Sequence, residues 1–332
     1  AVLLHDMMAK SVVGFWEVLR DLKHFKQLMG ATAQWITQYQ PRVVCFVDYP
    51  GFNLRLAKQL FERGVCAQAG GAVKLVYYIS PQIWAWKAWR RFSMARTLDA
   101  LAVIFPFEVD CYRDTRLPAT FVGHPFVRPD HCLPVSYDPD GTILLLPGSR
   151  RVPVRRIFPV MLEAFRRLWL KHPQMTATVI YPSETIKAVL EKIVSRFEDI
   201  QARVSLVPNT QKRSGRALLT SSGTMSLACT LAGIPGAIIY KTSWPTYIFG
   251  KMIIDIKHLG IGSILLGRMV YPEFIQAQAS VGRVAAELED CALNPQRRER
   301  AAQDAQELRT LLGEGLTGMP SPAQWLGQFL DS

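Results

Sequence analysis

Residues 217–240 read ALLTSSGTMSLACTLAGIPGAIIY, and these 24 residues include no charged side chain. The stretch is long enough to cross a bilayer, which takes about 20 apolar residues. However, SSGT at 221–224 and GIPG at 233–236 interrupt it, and serine, glycine and proline in such runs are typical of turns. The stretch therefore predicts strand, turn, helix, turn and strand, which is a buried α/β unit.

The same alternation of short apolar strands and helices continues in both directions from this unit. Strands are predicted at 43–47, 75–79, 101–105, 142–146, 177–181, 204–207, 218–219 and 237–240, and helices at 14–39, 53–64, 159–170, 184–197 and 224–231. Continuous apolar strands separated by helices are typical of parallel sheets with helices on both faces. We therefore predict an α/β fold of two Rossmann-like domains that face a cleft, with ligands beyond the carboxyl ends of the strands.

The length of 332 residues also favours two domains, because single hydrophobic cores stop growing below this size. A loop rich in proline and aspartate separates the two series of strands, and we place the boundary there. The predicted parts are a first domain at 1–135, a second domain at 136–310 and a C-terminal helical segment at 311–332. We expect the apolar end of that segment, 325–330, to pack across the cleft or onto another subunit, which would make a homodimer.

Composition excludes a disordered chain and points to anionic partners. Hydrophobic residues make up 49% of the chain, and 8 tryptophans add to the core. The formal charge of +12 favours nucleic acid, nucleotides or acidic lipid as partners. The 6 cysteines are scattered, so we expect reduced thiols and no metal site. Residues 1–15 lack the pattern of a signal peptide, and we expect none.

Two loops have the composition of phosphate-binding loops. The first, Gly148-Ser149-Arg150, follows the strand predicted at 142–146 and combines a glycine, a hydroxyl group and a permanently charged forked donor. The second, Ser222-Gly223-Thr224, lies between a strand and a helix, where free backbone N–H groups attract anions. The alternatives are an ordinary glycine turn and a simple helix cap.

Three polar residues of the first half are candidates for chemistry. Asp48 follows the strand at 43–47, where a general base or an acceptor for a sugar hydroxyl would stand, although it could equally cap the next helix. Asn53 is predicted as the N-cap of that helix. His124 would place an imidazole at the cleft, although single histidines are more often structural.

The segment 84–91 alternates tryptophans with cations. It contains Trp84, Trp86 and Trp89 together with Arg90 and Arg91. Such a mixture is typical of a surface that rests on anionic lipid headgroups, and stacking on single-stranded nucleic acid uses the same residue types. The alternative is that the indoles belong to the core and that the cations are solvated.

Several of these loops belong to six segments that resemble, in the same order, the motifs of the lipid-A-disaccharide synthase family of inverting GT-B glycosyltransferases. The segments are Val47-Asp48-Tyr49-Pro50-Gly51-Phe52-Asn53, Tyr78-Ile79-Ser80-Pro81-Gln82-Ile83-Trp84-Ala85-Trp86, Phe105-Pro106-Phe107-Glu108, Val122-Gly123-His124-Pro125, Leu146-Pro147-Gly148-Ser149-Arg150 and Ser222-Gly223-Thr224. They span most of the chain. The resemblance implies an acceptor-side first domain and a second domain that binds a UDP-sugar.

The resemblance further implies a reaction and its setting. Such an enzyme joins UDP-2,3-diacylglucosamine to 2,3-diacylglucosamine 1-phosphate (lipid X), which gives UDP and the β-1,6-linked disaccharide precursor of lipid A in the Gram-negative cell envelope. No metal, no further cofactor and no nucleic acid is implied. Because both substrates carry acyl chains, the implied enzyme is cytoplasmic and rests peripherally on the anionic inner membrane, with segment 84–91 as the contact.

By position, the resemblance also assigns residue roles on the donor side. Gly148-Ser149-Arg150 is implied to bind the UDP diphosphate, with Arg150 catalytic. Ser222-Gly223-Thr224 is implied to lie at the phosphates or the ribose, and Glu273 and Gln276 are implied to close the donor site.

On the acceptor side, the resemblance makes Asp48 the candidate to accept the proton of the 6-hydroxyl group. Asn53 and His124 are implied to lie beside the acceptor.

Five departures from the family pattern leave alternatives open. Gly51, Pro153, Ala228 and Ser263 stand where members carry an Asp, an acid, a Glu and an Asn, and the chain starts some tens of residues after the family's first strand and Gly-rich loop. Losing the hydrogen bond of that Glu predicts nucleotide affinity about ten- to a hundredfold lower. The alternatives are a decayed GT-B relative that binds acidic lipid, and another UDP-sugar enzyme such as a 2-epimerase.

Overall fold

The computed structural model describes residues 15–242 and 257–330, with side chains from residue 25 onward. The described chain divides into two compact units, the first made of residues 15–122 and 319–330 and the second of residues 123–242 and 257–318. The division after Val122 comes earlier than the boundary predicted after residue 135. Residues 1–14, on which the expectation about a signal peptide rests, lie outside the described residues.

Strands and helices alternate along most of the chain. In chain order, the described elements are α1 (Phe15–Tyr39), β1 (Val43–Val47), α2 (Pro50–Glu62), β2 (Lys74–Tyr78), α3 (Arg90–Thr97), β3 (Ala100–Val103), β4 (Ala119–Phe121), β5 (Val135–Leu146), α4 (Arg151–Lys171), β6 (Ala177–Tyr181), α5 (Glu184–Val194), β7 (Val204–Pro208), β8 (Arg213–Thr220), α6 (Thr224–Leu231), β9 (Gly236–Tyr240), α7 (Ile261–Leu266), β10 (Glu273–Ile275), α8 (Val281–Leu293), α9 (Pro295–Leu311) and α10 (Pro322–Gly327). The stretch 217–240 folds as the predicted α/β unit, since it holds the second half of β8, all of α6 and all of β9.

The first unit is built on a parallel sheet in the order β1-β2-β3-β4. The helices α1 and α2 pack on one of its faces, where Ala33 and Ile36 meet Phe52 and Leu56 in the core. The C-terminal helix α10 also belongs to this unit, because Trp325 is only 2% exposed and packs among buried residues of β2 and β3. The homodimer expected from the segment 325–330 stays a prediction.

The second unit is built on a six-stranded parallel sheet in the order β7-β6-β5-β8-β9-β10. Alternate residues of β5 point to opposite faces. Ile143 and Leu145 pack against α4 and α8, whereas Leu144 and Leu146 pack on the side of α6. Both units are therefore open parallel sheets, and the second has helices on both faces, as predicted.

Two further properties concern the whole described chain. None of the helices within residues 15–242 and 257–330 combines the length and the hydropathy of a membrane span. All six cysteines lie in the described ranges and are free thiols.

Candidate functional site

The strand order of the second unit defines where a ligand binds. Numbered from β5, the order is 3-2-1-4-5-6, the doubly wound order in which the connections leave β5 and β8 in opposite directions. This reversal opens a crevice beyond the carboxyl ends of these two strands. The structure has a cavity of about 490 Å³ there, lined by the loops that follow β5 and β8. Both loops predicted to bind phosphate therefore meet at one pocket, which we call the donor pocket.

The loop after β5 brings Arg150 to the donor pocket. Gly148 has φ +102°, and a Cβ atom added there would lie 2.8 Å from Oγ of Ser221. Glycine is therefore required, because a side chain would be strained and would collide with the second loop. Arg150 is the N-cap residue of α4, and its exposed guanidinium forms no ion pair within the described part of the chain.

The loop after β8 presents a second helix N-terminus to the same pocket. Gly223, at φ +129°, is the N-cap residue of α6, and Thr224 begins the helix. The first N–H groups of α4 and α6 have no partner inside their helices, and the helix dipole adds positive potential. Two helix N-termini and one guanidinium at a single pocket suit a diphosphate.

Three pocket residues were missed by sequence reasoning. Tyr181 ends β6, Asn209 follows β7 and Tyr240 ends β9, and all three line the donor pocket. Their shared signal is a polar group at the carboxyl end of a parallel strand. A tyrosine at the end of an apolar strand, however, is easily interpreted as part of the core.

The structure gives Glu273 and Gln276, which were expected to bind UDP, other partners. The Glu273 carboxylate accepts the N–H groups of Leu259 and Gly260, both at 2.8 Å, just before α7. The Gln276 amide exchanges two hydrogen bonds with the backbone of Thr242 after β9. Neither residue lines the donor pocket among the described residues. Both residues hold the backbone at this edge of the sheet, and their expected role in closing the donor site stays a prediction.

The structure shows the surroundings of the four residues that depart from the family pattern. Ser263 is buried, and its Oγ accepts the N–H group of Val270 at 3.0 Å. Ala228 is fully buried in α6 and offers no polar group. Pro153 lies in the first turn of α4, where proline is tolerated, and lines the donor pocket. A Cβ atom at Gly51 would meet nothing within 4 Å, so a larger residue would fit there.

In the first unit, Asp48 lies at the carboxyl end of β1 on a constrained backbone. Asp48 and Tyr49 both have positive φ values, 44° and 45°, which is costly for residues with side chains. The N–H group of Asp48 donates to the Tyr78 carbonyl at 3.0 Å, and its carbonyl accepts from the Tyr77 hydroxyl. The exposed Asp48 carboxylate has no hydrogen bond within the described chain, so it is presented to solvent from a fixed backbone.

Asn53 has a different role from the predicted helix cap. The helix α2 already begins at Pro50, and the N-cap residue is Tyr49. The Asn53 amide instead donates to the carbonyls of Val47 and Asp48, at 3.1 and 2.7 Å. Asn53 therefore stabilises the left-handed turn that carries Asp48.

His124, expected on the acceptor side, belongs to the second unit. Its backbone N–H donates to the Leu312 carbonyl, and its Nδ1 accepts the N–H group of Phe126 at 3.1 Å. The ring is 4% exposed, and burial lowers its pKa to about 4, so it is neutral at pH 7. The structure gives His124 the role of capping the short helical turn that follows it.

The tryptophans of segment 84–91 divide into one that is held inward and two that are exposed. Trp84 donates from Nε1 to Glu108 at 3.1 Å and stands edge-on to Phe107. Trp86 and Trp89 are 46% and 63% exposed. Trp84 is therefore half-buried and held by Glu108, whereas Trp86 and Trp89 are exposed, and membrane contact by the three tryptophans stays a prediction.

The predicted cations of this segment are also not equivalent. Arg91 forms a two-pronged ion pair with Asp114, at 2.6 to 3.0 Å, which neutralises its charge. Arg90 lies over the ring of Trp86, 5.3 Å from the ring centre. Phe92, which sequence reasoning missed, adds a third half-exposed aromatic ring.

Glu108, which anchors Trp84, is a buried acid whose pKa is raised to about 7 by loss of solvent, despite hydrogen bonds from Ile104, Phe105 and Trp84. Because this pKa lies above the ordinary 4.5, the folded protein holds the proton more tightly than the unfolded chain does. Its contribution to stability is therefore fullest below pH 4.5 and is lost as the pH rises to about 7.

We expect this loss in urea unfolding. Between pH 5 and 8, the free energy of unfolding of the wild type should fall by roughly 2 to 3 kcal/mol relative to Glu108→Gln. If the free energies of unfolding of the wild type and of Glu108→Gln change in parallel between pH 5 and 8, the raised pKa of Glu108 is contradicted.

Among the described residues, no three His, Cys, Asp or Glu side chains gather as metal ligands would. The expectation that no metal and no cofactor is needed stays a prediction.

Comparison with known proteins gives consistent matches over nearly the whole chain. The family model described as Lipid-A-disaccharide synthetase matches residues 2–323. The lipid-A-disaccharide synthase of Nitrosococcus oceani is 32% identical over 94% of this chain and 81% of its own length. That of Geobacter metallireducens is 35% identical over 93% of this chain and 81% of its own length.

Solved structures agree on the fold alone. A structure from Listeria monocytogenes named as a putative UDP-N-acetylglucosamine 2-epimerase matches with a TM-score of 0.55 at 12% identity, over 88% of this chain and 74% of that one. The glycotransferase of kitacinnamycin matches with a TM-score of 0.54 at 12% identity, over 88% of this chain and 78% of that one. The two parallel-sheet domains are therefore of the GT-B type.

Proposed function

This chain belongs to the lipid-A-disaccharide synthase family, and from that premise we propose that it is a hexosyltransferase that makes the lipid A disaccharide. It joins UDP-2,3-diacylglucosamine to 2,3-diacylglucosamine 1-phosphate and releases UDP. The observation that carries the proposal is the donor pocket, where two helix N-termini and Arg150 surround one cavity at the switch point of a Rossmann-like sheet. Neither a 2-epimerase nor a decayed relative has an observation in its favour.

The second unit binds the donor in this proposal. The diphosphate lies against the N–H groups of α4 and α6, with Ser149 and Ser222 as hydroxyl donors at the pocket wall. As the bond between the anomeric carbon and the phosphate oxygen breaks, negative charge grows on UDP. Arg150 and the two helix ends stabilise this charge, because they are already oriented before reaction.

The first unit supplies the base. Asp48 takes the proton of the acceptor 6-hydroxyl group, whose oxygen forms the new bond to the anomeric carbon. The carboxylate is exposed at the end of β1 and is not used in any hydrogen bond of the described chain. The fixed positive charge of Arg150 and the helix ends provides charge neutralisation, so we propose that no metal is required.

UDP binding tests this proposal directly. In buffer with EDTA, a hundredfold excess of UDP over its Kd should add about 2.7 kcal/mol to the free energy of unfolding, which raises Tm by a few degrees. AMP and GMP serve as controls. A cooperatively folded sample that shows no shift with UDP either with or without EDTA would overturn the donor assignment, whereas a shift seen only without EDTA would overturn metal independence.

We also propose that the enzyme is cytoplasmic and rests peripherally on the anionic inner leaflet. The support lies in the exposed aromatic rings of Trp86, Trp89 and Phe92 beside cations. Amphipathic rings favour the lipid interface, and neighbouring cations add attraction to acidic headgroups.

Replacing Trp86 and Trp89 together by alanine should weaken binding to anionic vesicles by roughly ten- to thirtyfold, because each indole loses about 1 kcal/mol of apolar burial. Co-sedimentation with phosphatidylglycerol vesicles measures this. The matched control is Trp35→Ala with Tyr39→Ala, since these rings are 40% and 62% exposed in the same unit. Equal losses in both double variants would contradict the membrane contact.

A further inference from the structure

A second surface of the second unit has no role in the proposed reaction. It is a groove of about 580 Å³ between α4 and α5. Its walls carry four cations, Arg151 and Arg155 from α4 and Lys192 and Arg196 from α5 and the residues after it, and no acid lines it. All four side chains belong to exposed residues. We call this surface the α4/α5 groove.

The charge of the α4/α5 groove is not compensated by the protein. Several other cations on the same two helices have acidic partners: Arg166 pairs with Asp199, and Lys187 pairs with Glu184 and Glu191. The four groove cations form no ion pair within the described part of the chain. Their attraction is therefore available to an external anion.

The position of the cations on α4 argues that they do not serve the stability of the fold. Arg151 is the first residue of the helix, Arg155 follows one turn later, and the first turn holds no acid. Positive charges near a helix N-terminus are unfavourable because they oppose the helix dipole. By contrast, α5 begins with the acid Glu184, the favourable arrangement. A bound anion would remove the repulsion on α4.

The groove is distinct from the donor pocket. Pro153 and Ile157 of α4 line the donor pocket, whereas Arg151, Arg155 and Pro159 line the groove. The groove residues are spaced by four, so they form one stripe along the helix. An anion in the groove would therefore meet a different face of α4 from the UDP diphosphate.

The floor of the groove indicates what kind of anion fits. It is apolar, with Pro159 from α4 and Val189 and Ile193 from α5. No aromatic residue lines the groove, although binding of single-stranded nucleic acid relies on aromatic stacking. A phosphate that carries an acyl chain matches both the cations and the apolar floor.

We propose that the α4/α5 groove binds the phosphate headgroup of an anionic membrane lipid, with the first carbons of its acyl chain on the apolar floor. The site is independent of the donor pocket and of segment 84–91. It gives the second unit a membrane contact of its own.

The test is a charge reversal with a matched control. Lys192→Glu with Arg196→Glu should weaken binding to phosphatidylglycerol vesicles by roughly thirtyfold, since each cation near an anionic surface contributes about one kcal/mol. The control, Arg203→Glu with Lys212→Glu, makes the same change in net charge at exposed residues outside the groove. It should lose much less. Equal losses in the two double variants would overturn the proposal, because they would reflect overall charge alone.

Further measurements identify the ligand of the groove and show whether the variants still fold and bind UDP. Soluble short-chain phosphatidylglycerol should raise Tm of the wild type but not of Lys192→Gln with Arg196→Gln. An equal rise in Tm with inorganic phosphate would overturn the lipid assignment. The same holds if the variants abolish binding to RNA while their binding to vesicles persists. The Tm shift with UDP should persist in every variant, so that failure of the groove is distinguishable from failure of the donor pocket.

Discussion

Replacing Arg150 by alanine should lower kcat/KM by roughly a hundred- to a thousandfold, which is the usual cost of removing one oriented donor from the site where charge develops. The reason is geometric. Arg150 stands at the N-cap of α4 and lines the donor pocket without an ion pair in the described part of the chain. Its positive charge is therefore available to the leaving UDP, whose negative charge is greatest as the bond breaks. Release of UDP with both lipid substrates in detergent measures the effect.

Two further variants test whether the loss of activity comes from the forked guanidinium of Arg150 itself. Arg150→Lys keeps the charge but loses the forked geometry, so it should fall between the wild type and Arg150→Ala. Arg156→Ala removes an exposed arginine from the same helix that does not line the donor pocket, and it should change turnover little. Turnover of Arg150→Ala within threefold of the wild type would refute the role.

The sequence predicts the interior of the fold better than its edges. The strand at 177–181 and the helix at 224–231 agree with β6 and α6 residue for residue, because buried apolar runs end there at clear turn residues. The beginning of β5 was missed because residues 136–141 contain Pro139, Gly141, one serine and two aspartates, which are typical of a loop. Ser136 and Tyr137 nevertheless pair with β8, and residues 138–141 form an irregularity in the register before pairing resumes at Thr142. Pairing between distant strands is not visible in local composition.

The candidate site shows the same limit. Both phosphate loops could be predicted, since each follows a strand, and the strand order then brings them to one pocket. The partners of Glu273 and Trp84 could not be predicted, because a motif does not say whether a polar side chain meets a ligand or the protein itself. Glu273 binds backbone N–H groups and Trp84 binds Glu108. Contacts of this kind depend on residues far away in the sequence.

Asp48→Asn should lower kcat by roughly a hundred- to ten-thousandfold, the usual contribution of a general base. Asparagine keeps the shape of the side chain and accepts no proton. The backbone at this position is held by bonds from Tyr77 and Asn53 to the Asp48 carbonyl, so the substitution should not displace it. KM and the Tm shift with UDP should change little, because a base acts only in the transition state.

The position of Gly51, where many family members carry an aspartate, sharpens this test. A Cβ atom there would meet nothing within 4 Å, so Gly51→Asp should fold normally. If Asp48 is the base, the single variant Asp48→Asn loses activity. The double variant Asp48→Asn with Gly51→Asp should then regain at most part of it, because its new carboxylate lies three residues further along the chain. The control Glu62→Gln removes an exposed carboxylate from the far end of α2 and should leave kcat unchanged. Wild-type turnover in Asp48→Asn would show that the acceptor proton goes to another group.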